Sequence, residues 1–355
     1  TGTFDDNTGN DSIDLLINTD ATTISSADTT DVDAIQLASS VSATLTIAQN
    51  ALINSASGTN TVTLADAGTA TGFSDVEAYN LANGTQTFTL GAASQNVTTG
   101  TGAITVNTGS IADITDSVIN GSAADSLAIV LGATSDISDA TITGTSGSQD
   151  ANYSITLDGF DSTLTIAQNA LINSATGTNT VTLADAGTAT GNADVESYNL
   201  AAAGGSTFTL GSASQNVTTG TNGADTLNVS SFTATGTFNT VAADTIQLGA
   251  GANISGVQAE GNAAGTALDA DNLLIDNDAA VSMTVAQHNA FSGTITAAGD
   301  ETINLTTAGD ATGFSAVESY NLAAAGGSTF TLGSASQNVT TGTNGADTLN
   351  VSSFT

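Results

Sequence analysis

Gly220-Thr221-Asn222-Gly223-Ala224-Asp225-Thr226-Leu227-Asn228 decides the fold, and the chain carries it twice, the second time as Gly342-Thr343-Asn344-Gly345-Ala346-Asp347-Thr348-Leu349-Asn350. Against the nonapeptide G-G-x-G-x-D-x-U-x of solenoid turns, each copy departs only at the second position, where Thr replaces Gly. The physics of the pattern is local. Gly220, Gly223, Gly342 and Gly345 let the backbone turn and aim carbonyl oxygens inward, the Asp adds a hard anionic oxygen, and the apolar residue after it starts a short strand. One such half-site needs a neighbour. Nineteen residues after Asp225 comes Asp244, in Ala243-Asp244-Thr245-Ile246-Gln247-Leu248. With coils of roughly 18 to 24 residues, the two Asp residues stack.

The chain's ends are in phase with each other. Counting from Asp347 through Thr355 and on from Thr1 to Asp11 again gives 19 residues. A metal site completed by Asp347 of one chain and Asp11 of the next is therefore expected, as is head-to-tail association of the chain with itself. Asp6, Asp14, Asn222 and Asn344 stand close enough in sequence to add oxygen ligands. In the middle of the chain, Gly121-Ser122-Ala123-Ala124-Asp125-Ser126-Leu127 keeps the Asp, but the preceding Gly100-Thr101-Gly102-Ala103-Ile104 lacks the Asn-Gly-Ala-Asp insert.

Of 355 residues, 34 are Asp or Glu and none is Lys or Arg, for a formal net charge of −34. Side-chain ion pairs are out of reach except through His288, so bound or condensed cations must relieve the self-repulsion. Ca2+ is the expected cation, because Asp in Gly- and Asn-rich turns is a usual calcium ligand. Such a charge excludes nucleic acid as a partner, and an anionic membrane would repel the chain unless calcium bridged the two. Cys is absent, as suits a secreted bacterial protein that folds outside the cell without oxidation. No run of 18 apolar residues marks a transmembrane segment. A start at Thr1 points to a processed product or a piece of a longer chain.

Long-range repetition organises the remainder. Thr44-Leu45-Thr46-Ile47-Ala48-Gln49 returns 119 residues later as Thr163 to Gln168, and after another 119 as Ser282 to Gln287. Val76-Glu77-Ala78-Tyr79-Asn80-Leu81 returns at Val195 and Val317, and residues 195–233 and 317–355 are identical. Within each unit, Thr61-Val62-Thr63-Leu64, Thr87-Phe88-Thr89-Leu90 and their copies alternate polar and apolar residues with the period of a half-buried strand. Gly, Asn, Asp and Ser clusters interrupt them too often for long helices. Only Ala48 to Asn54 and Ala167 to Asn173 leave room for a helical turn. Aromatic residues make up 4% and Trp is absent, which disfavours sandwich cores and suits a thin solenoid. The expected fold is all-β, a right-handed parallel β-solenoid of three tandem repeats of about 120 residues, at 1–114, 115–233 and 234–355.

With these motifs the sequence resembles the calcium-binding RTX repeats of secreted bacterial proteins. The run from Val-Glu-x-Tyr-Asn-Leu to Thr-Gly-Thr-Asn-Gly-Ala-Asp-Thr-Leu also looks like repeats of calcium-dependent surface-layer proteins and large adhesins exported by type I secretion. The resemblance implies an extracellular structural protein at the bacterial cell surface, folding and assembling with calcium into a filament or layer, with cell-surface polysaccharide reachable through calcium. Its alternative is the spacer of a large adhesin.

Other readings are weaker. Glu77, Glu196 and Glu318, with Tyr79, Tyr198, Tyr320 and Asn80, Asn199, Asn321, are expected at one corner of equivalent coils, Asn bonding a turn and Tyr covering a strand edge. His288 has no Cys or second His beside it and reads as an ordinary variable position. Asn96, Asn216 and Asn338 begin Asn-Val-Thr triplets, which arise by chance in so Asn- and Thr-rich a chain. Enzymatic activity is not expected, because polysaccharide cleavage on such folds usually needs Arg or Lys at the developing charge, and no carboxylate pair stands outside the repeat. Thr-x-Thr triplets would suit an ice-binding face but recur only once or twice per unit.

Overall fold

A computed structural model describes residues 12–121, 126–143, 153–241, 243–259 and 272–351. The chain is a parallel β-solenoid of about 16 turns with almost no helix. It divides into two compact units, residues 1–164 with 171–179 and residues 165–170 with 180–355. In the first unit, Thr22–Thr23, Ser42–Leu45, Thr61–Leu64, Ala78–Asn80, Asn96–Thr98, Val118–Asn120 and Thr141–Thr143 stack as one parallel sheet. A second sheet runs from Thr69–Thr71 to Ile172–Thr176. In the other unit, Thr188–Thr190, Thr207–Thr209, Thr226–Asn228, Thr245–Leu248, Asn272–Ile275 and Ile295–Thr296 form the corresponding stack.

Alternation within each strand sets its two faces. In Thr61–Leu64, Val62 and Leu64 turn inward and the Thr residues outward. Because neighbouring strands are parallel and in register, inward residues lie on one another, Val62 beside Tyr79 beside Val97 beside Ile119. In the other unit Phe208 lies beside Leu227, Ile246 and Leu273, all fully buried. The core is thus a set of columns one or two side chains thick. Each fully buried aliphatic or aromatic residue contributes about 1.5–3 kcal/mol, and small residues fill the narrow parts.

Among the described residues, three helical segments occur, Ile47–Asn50, Ile166–Asn169 and Val285–Ala290. Each begins with a capping box, from Thr46 and Gln49, Thr165 and Gln168, and Thr284 and Gln287. These Gln side chains do more than cap. Gln49 Nε2 also donates to Ile24 O at 2.9 Å, and Gln287 Nε2 to Ile254 O at 2.6 Å, so these two boxes are tied to the preceding coil.

Tyr79, Tyr198 and Tyr320 do not cover strand edges, contrary to the sequence expectation. All three are buried, their rings tilted at 4.8, 4.7 and 4.7 Å against Phe88, Phe208 and Phe330. Parity is the reason, since Tyr79 shares its strand face with Leu81 two residues on, and Leu81 is buried.

Candidate functional site

The expected pairing of Asp225 with Asp244 is present. The strands they precede are in register, Thr226 on Thr245 and Leu227 on Ile246, and both Asp side chains are buried in the inward row. Their oxygens, however, face protein donors. Asp225 Oδ1 accepts from Ser206 N at 2.7 Å and Oδ2 from Gly220 N at 2.8 Å. Asp244 Oδ1 accepts from Asp225 N at 2.8 Å, and its Oδ2 from Thr219 Oγ1 at 2.5 Å and Val241 N at 3.0 Å. A carboxylate bonded in this way is stabilised without a metal.

Calcium takes six to eight oxygen ligands. Gly220 offers its N–H to Asp225, and Asn222 and Asn344 are exposed, their backbone N–H groups bonded to Ala202 O and Ala324 O. Among the described residues no group of three or more His, Cys, Asp or Glu side chains is placed to hold a metal ion. The described geometry is that of a clamp between coils. Asp347 repeats the clamp, with Oδ1 on Ser328 N at 2.9 Å and Oδ2 on Gly342 N at 2.8 Å. Asp14 is exposed and takes Gln36 Nε2 at 3.3 Å. Asp6, Asp11 and Asp125 lie outside the described residues.

The glycines serve the clamp. Gly223 and Gly345 both have φ of +99°, the left-handed turn that the sequence required. At Gly220 the constraint is space, because a Cβ would run into the carbonyl oxygen of Ala201 one coil back. Gly220→Ala is therefore expected to cost about 1–3 kcal/mol through overpacking against rigid backbone, measured as a lower urea midpoint.

Other acids repeat the principle with different side chains. Glu77 Oε2 accepts from Asn60 N at 2.6 Å, and Asn60 Oδ1 in turn from Val41 N at 3.0 Å. Asp66 and Asp185 accept from Ile47 N and Ile166 N at 2.7 and 2.6 Å, at the starts of two helical segments. Glu301 is buried, accepts from Ala298 N at 3.0 Å, and donates its own N–H to Glu318 Oε2 at 3.2 Å. Burial, and then the hydrogen bond and charge of Glu301, push the Glu318 carboxyl up. Gln95, Gln215 and Gln337 hold a further corner, their Oε1 atoms accepting from Gly91, Gly211 and Gly333 N–H groups at 2.8, 2.7 and 2.7 Å.

His288 is not an ordinary variable position. It occupies the place of Asn169 and Asn50, 119 and 238 residues earlier. In those repeats the tyrosine hydroxyl donates to the Asn side chain, Tyr79 to Asn50 at 3.1 Å and Tyr198 to Asn169 at 3.0 Å. Here His288 Nε2 meets Tyr320 Oη at 3.2 Å and its ring stacks on Phe314 at 4.0 Å. Burial lowers its pKa to about 4, only partly offset by the hydrogen bond with Asn289. Burial likewise raises Tyr79 and Tyr198 to about 12. An open groove of about 510 Å³ beside His288 is lined by Asp310, Thr312 and Phe314 among others, with a neutral imidazole as its only ring nitrogen donor or acceptor.

One surface feature was not apparent from triplet counts. Thr188, Thr207, Thr226 and Thr245 stand in register on four neighbouring strands and form an outward column. No family model, curated protein or solved structure matches the chain.

Proposed function

We propose that this is a structural protein of the bacterial exterior, a right-handed solenoid of three repeats that assembles head to tail into a filament or layer with the help of calcium. The observation that carries the reading is how the polar motif residues are used. Asp225, Asp244, Asp347, Glu77, Glu318 and the Gln95, Gln215, Gln337 set bond backbone groups of neighbouring coils. Residues spent on joining coils are the mark of a scaffold. The resemblance to RTX-like surface-layer and adhesin repeats supports an extracellular place and a role without catalysis. Calcium enters through the net charge of −34. Many carboxylates are exposed, and a divalent cation shared between carboxylates of adjoining copies, or between them and surface polysaccharide, would relieve repulsion where copies meet. A spacer segment of a large adhesin is the alternative within the same class.

Chelator-stripped protein titrated with calcium at physiological ionic strength, followed by circular dichroism and negative-stain electron microscopy, tests this. The β-signal is expected without calcium, because the buried carboxylates already have donors, and ordered filaments or sheets are expected on addition. Assembly that ignores calcium would remove the ion from the proposal. Folding that requires calcium would put the metal back inside the coils, and discrete monomers at every concentration would favour the adhesin spacer. The column Thr188, Thr207, Thr226, Thr245 supports ice binding as a second reading, and thermal hysteresis of the monomer would be its signature.

A further inference from the structure

Glu301 stands where Asn60 and Asn179 stand earlier in the chain. Thr302 lies on Ser319 as Thr61 lies on Ala78 and Thr180 on Ser197, and Glu301, Asn60 and Asn179 each precede the first of these residues. The backbone bond of the corner is common to the first and last of them, Asn60 N donating to Glu77 Oε2 at 2.6 Å and Glu301 N to Glu318 Oε2 at 3.2 Å. The side chains differ in what they offer. Asn60 accepts from Val41 N and donates Nδ2 to Ser57 O at 2.8 Å, and Asn179 donates Nδ2 to Thr176 O at 3.0 Å. An ionised Glu has acceptors only. Glu301 Oε1 accepts from Ala298 N at 3.0 Å and Asp278 N at 3.3 Å, whereas Oε2, sealed from solvent, meets no donor among the described residues.

The side chain within hydrogen-bonding reach of the Glu301 carboxyl is a second acid, Glu318. Two carboxylates held so close repel, and the chain has no Lys or Arg to stand between them. The other groups at the corner, Ala298 N, Asp278 N and Glu301 N, are all donors, which suit a carboxyl and repel a metal ion. We propose that Glu318 carries a proton and donates it to Glu301, so that the two side chains close this corner as one acid–carboxylate pair, a proton-binding site built into the scaffold. The reading is independent of how copies of the chain assemble.

The surrounding charges favour retention of the proton. Asp278 and Asp300, both exposed, lie on the turns that carry Ala279 and Glu301, with Asp300 N donating to Asp278 Oδ1 at 3.0 Å, and Asp276 is held by Gln247 Nε2 at 2.8 Å. On the other side the strand Asn338–Thr340 brings no titratable group. Tyr320, two residues from Glu318 and bonded to His288, is raised by burial and, after it, by the Glu318 charge. Burial alone would raise Glu301, but the bonds from Ala298 N and from Glu318 hold it below the usual carboxyl value, while burial and then Glu301 push Glu318 up. The two titrate as a unit, one step below and one above the ordinary Glu pKa of about 4.3. The pair therefore stabilises the fold most near that pH. Its contribution is lost as pH rises through the upper step, where the folded chain gives up a proton that the unfolded chain has already lost, and falls on the acid side as Glu301 is protonated. This is the opposite sense to His288, whose neutral ring is lost as pH falls toward 4.

Only five residues are Glu, at 77, 196, 260, 301 and 318, so full-length protein labelled with 13C at the Glu side-chain carboxyls gives five signals to titrate by NMR. Two are expected to respond together to both steps, and Glu318→Gln should remove one signal and leave Glu301 with a single step. That variant carries a permanent donor in place of the proton. Its urea midpoint should exceed that of wild type at about pH 8, with the gap narrowing toward about pH 5. Five independent single-step titrations near about 4.3, or a gap that does not change with pH, would overturn the shared proton. Repeating the titration with millimolar calcium gives the remaining outcome. An upper step that stays in place supports a proton in the gap, and one that calcium moves down to the ordinary range, at these two signals alone, would put a metal ion there instead.

Discussion

Asp225→Ala is expected to lower the unfolding free energy by about 3–5 kcal/mol, because it leaves two buried backbone donors without acceptors and opens a small void. The donors are Ser206 N and Gly220 N, held at 2.7 and 2.8 Å by the two oxygens of a side chain with no exposure to solvent. Asp225→Asn should recover only part of the loss, since its amide nitrogen would face one of those N–H groups. Asp347→Ala breaks the equivalent two contacts, from Ser328 N and Gly342 N. Urea unfolding monitored by circular dichroism, run with chelator and again with calcium, separates clamp from ligand. A cost that is the same in both conditions assigns the residue to the clamp. A variant that is silent in chelator and loses stability only with calcium would make Asp225 a metal ligand.

The first repeat contains a natural contrast for this argument. Ile104 pairs with Gln86 where Asp225 stands opposite Ser206, and Ile104 is buried. There the turn is Thr101-Gly102-Ala103, without the Asn-Gly-Ala-Asp insert, and an apolar residue suffices. The Asp thus goes with the longer turn, whose Gly220 N–H needs an acceptor. Gln86, buried beside Ile104, has no partner for either side-chain polar atom.

Much of this was legible before any coordinates. Strand parity at Thr61–Leu64, the 19-residue stacking of Asp225 and Asp244 and the left-handed Gly223 all follow from local pattern, whereas the helical turn expected over Ala48 to Asn54 runs instead from Ile47 to Asn50 and gives way to a strand at Ile53. What those residues bind is a different matter. Calcium ligation and backbone clamping ask for the same Asp in the same Gly-rich turn, and Ser206 N, the donor that Asp225 meets, lies 19 residues away on the coil beneath. Tyr79 carries its signal in the sequence, since its parity with Leu81 places it inside. His288 shows one that only alignment of the repeats gives. Its isolation from other metal ligands says nothing about burial, whereas its place in the row of Asn50 and Asn169 says that it must accept from a tyrosine hydroxyl.

His288, standing where Asn50 and Asn169 stand earlier in the chain, is expected to make its coil sensitive to pH. Tyr320 Oη accepts from Phe314 N at 2.8 Å, so its own proton points at His288 Nε2, and Nδ1 carries the ring proton toward Asn289 Oδ1 at 3.2 Å. The neutral ring satisfies every partner; protonation of Nε2 sets two donors against each other in a buried place. With the pKa lowered from 6.5 to about 4, the folded state resists a proton that the unfolded chain takes up readily. The stabilisation is fully present above about pH 6.5 and is lost as pH falls toward 4, a loss on the order of 3 kcal/mol at the lower end. Protonation of the many carboxylates acts over an overlapping range, and Asp310 lines the same groove, so the informative quantity is a difference between proteins that share them. His288→Asn restores the pairing of the first two repeats and should unfold at nearly the wild-type urea midpoint at pH 7.5. At pH 4.5 it should be the more stable by about 2–3 kcal/mol. Parallel curves for the two proteins from pH 7.5 to 4.5 would show that the imidazole titrates freely, and with it that the Tyr320 contact does not form in solution.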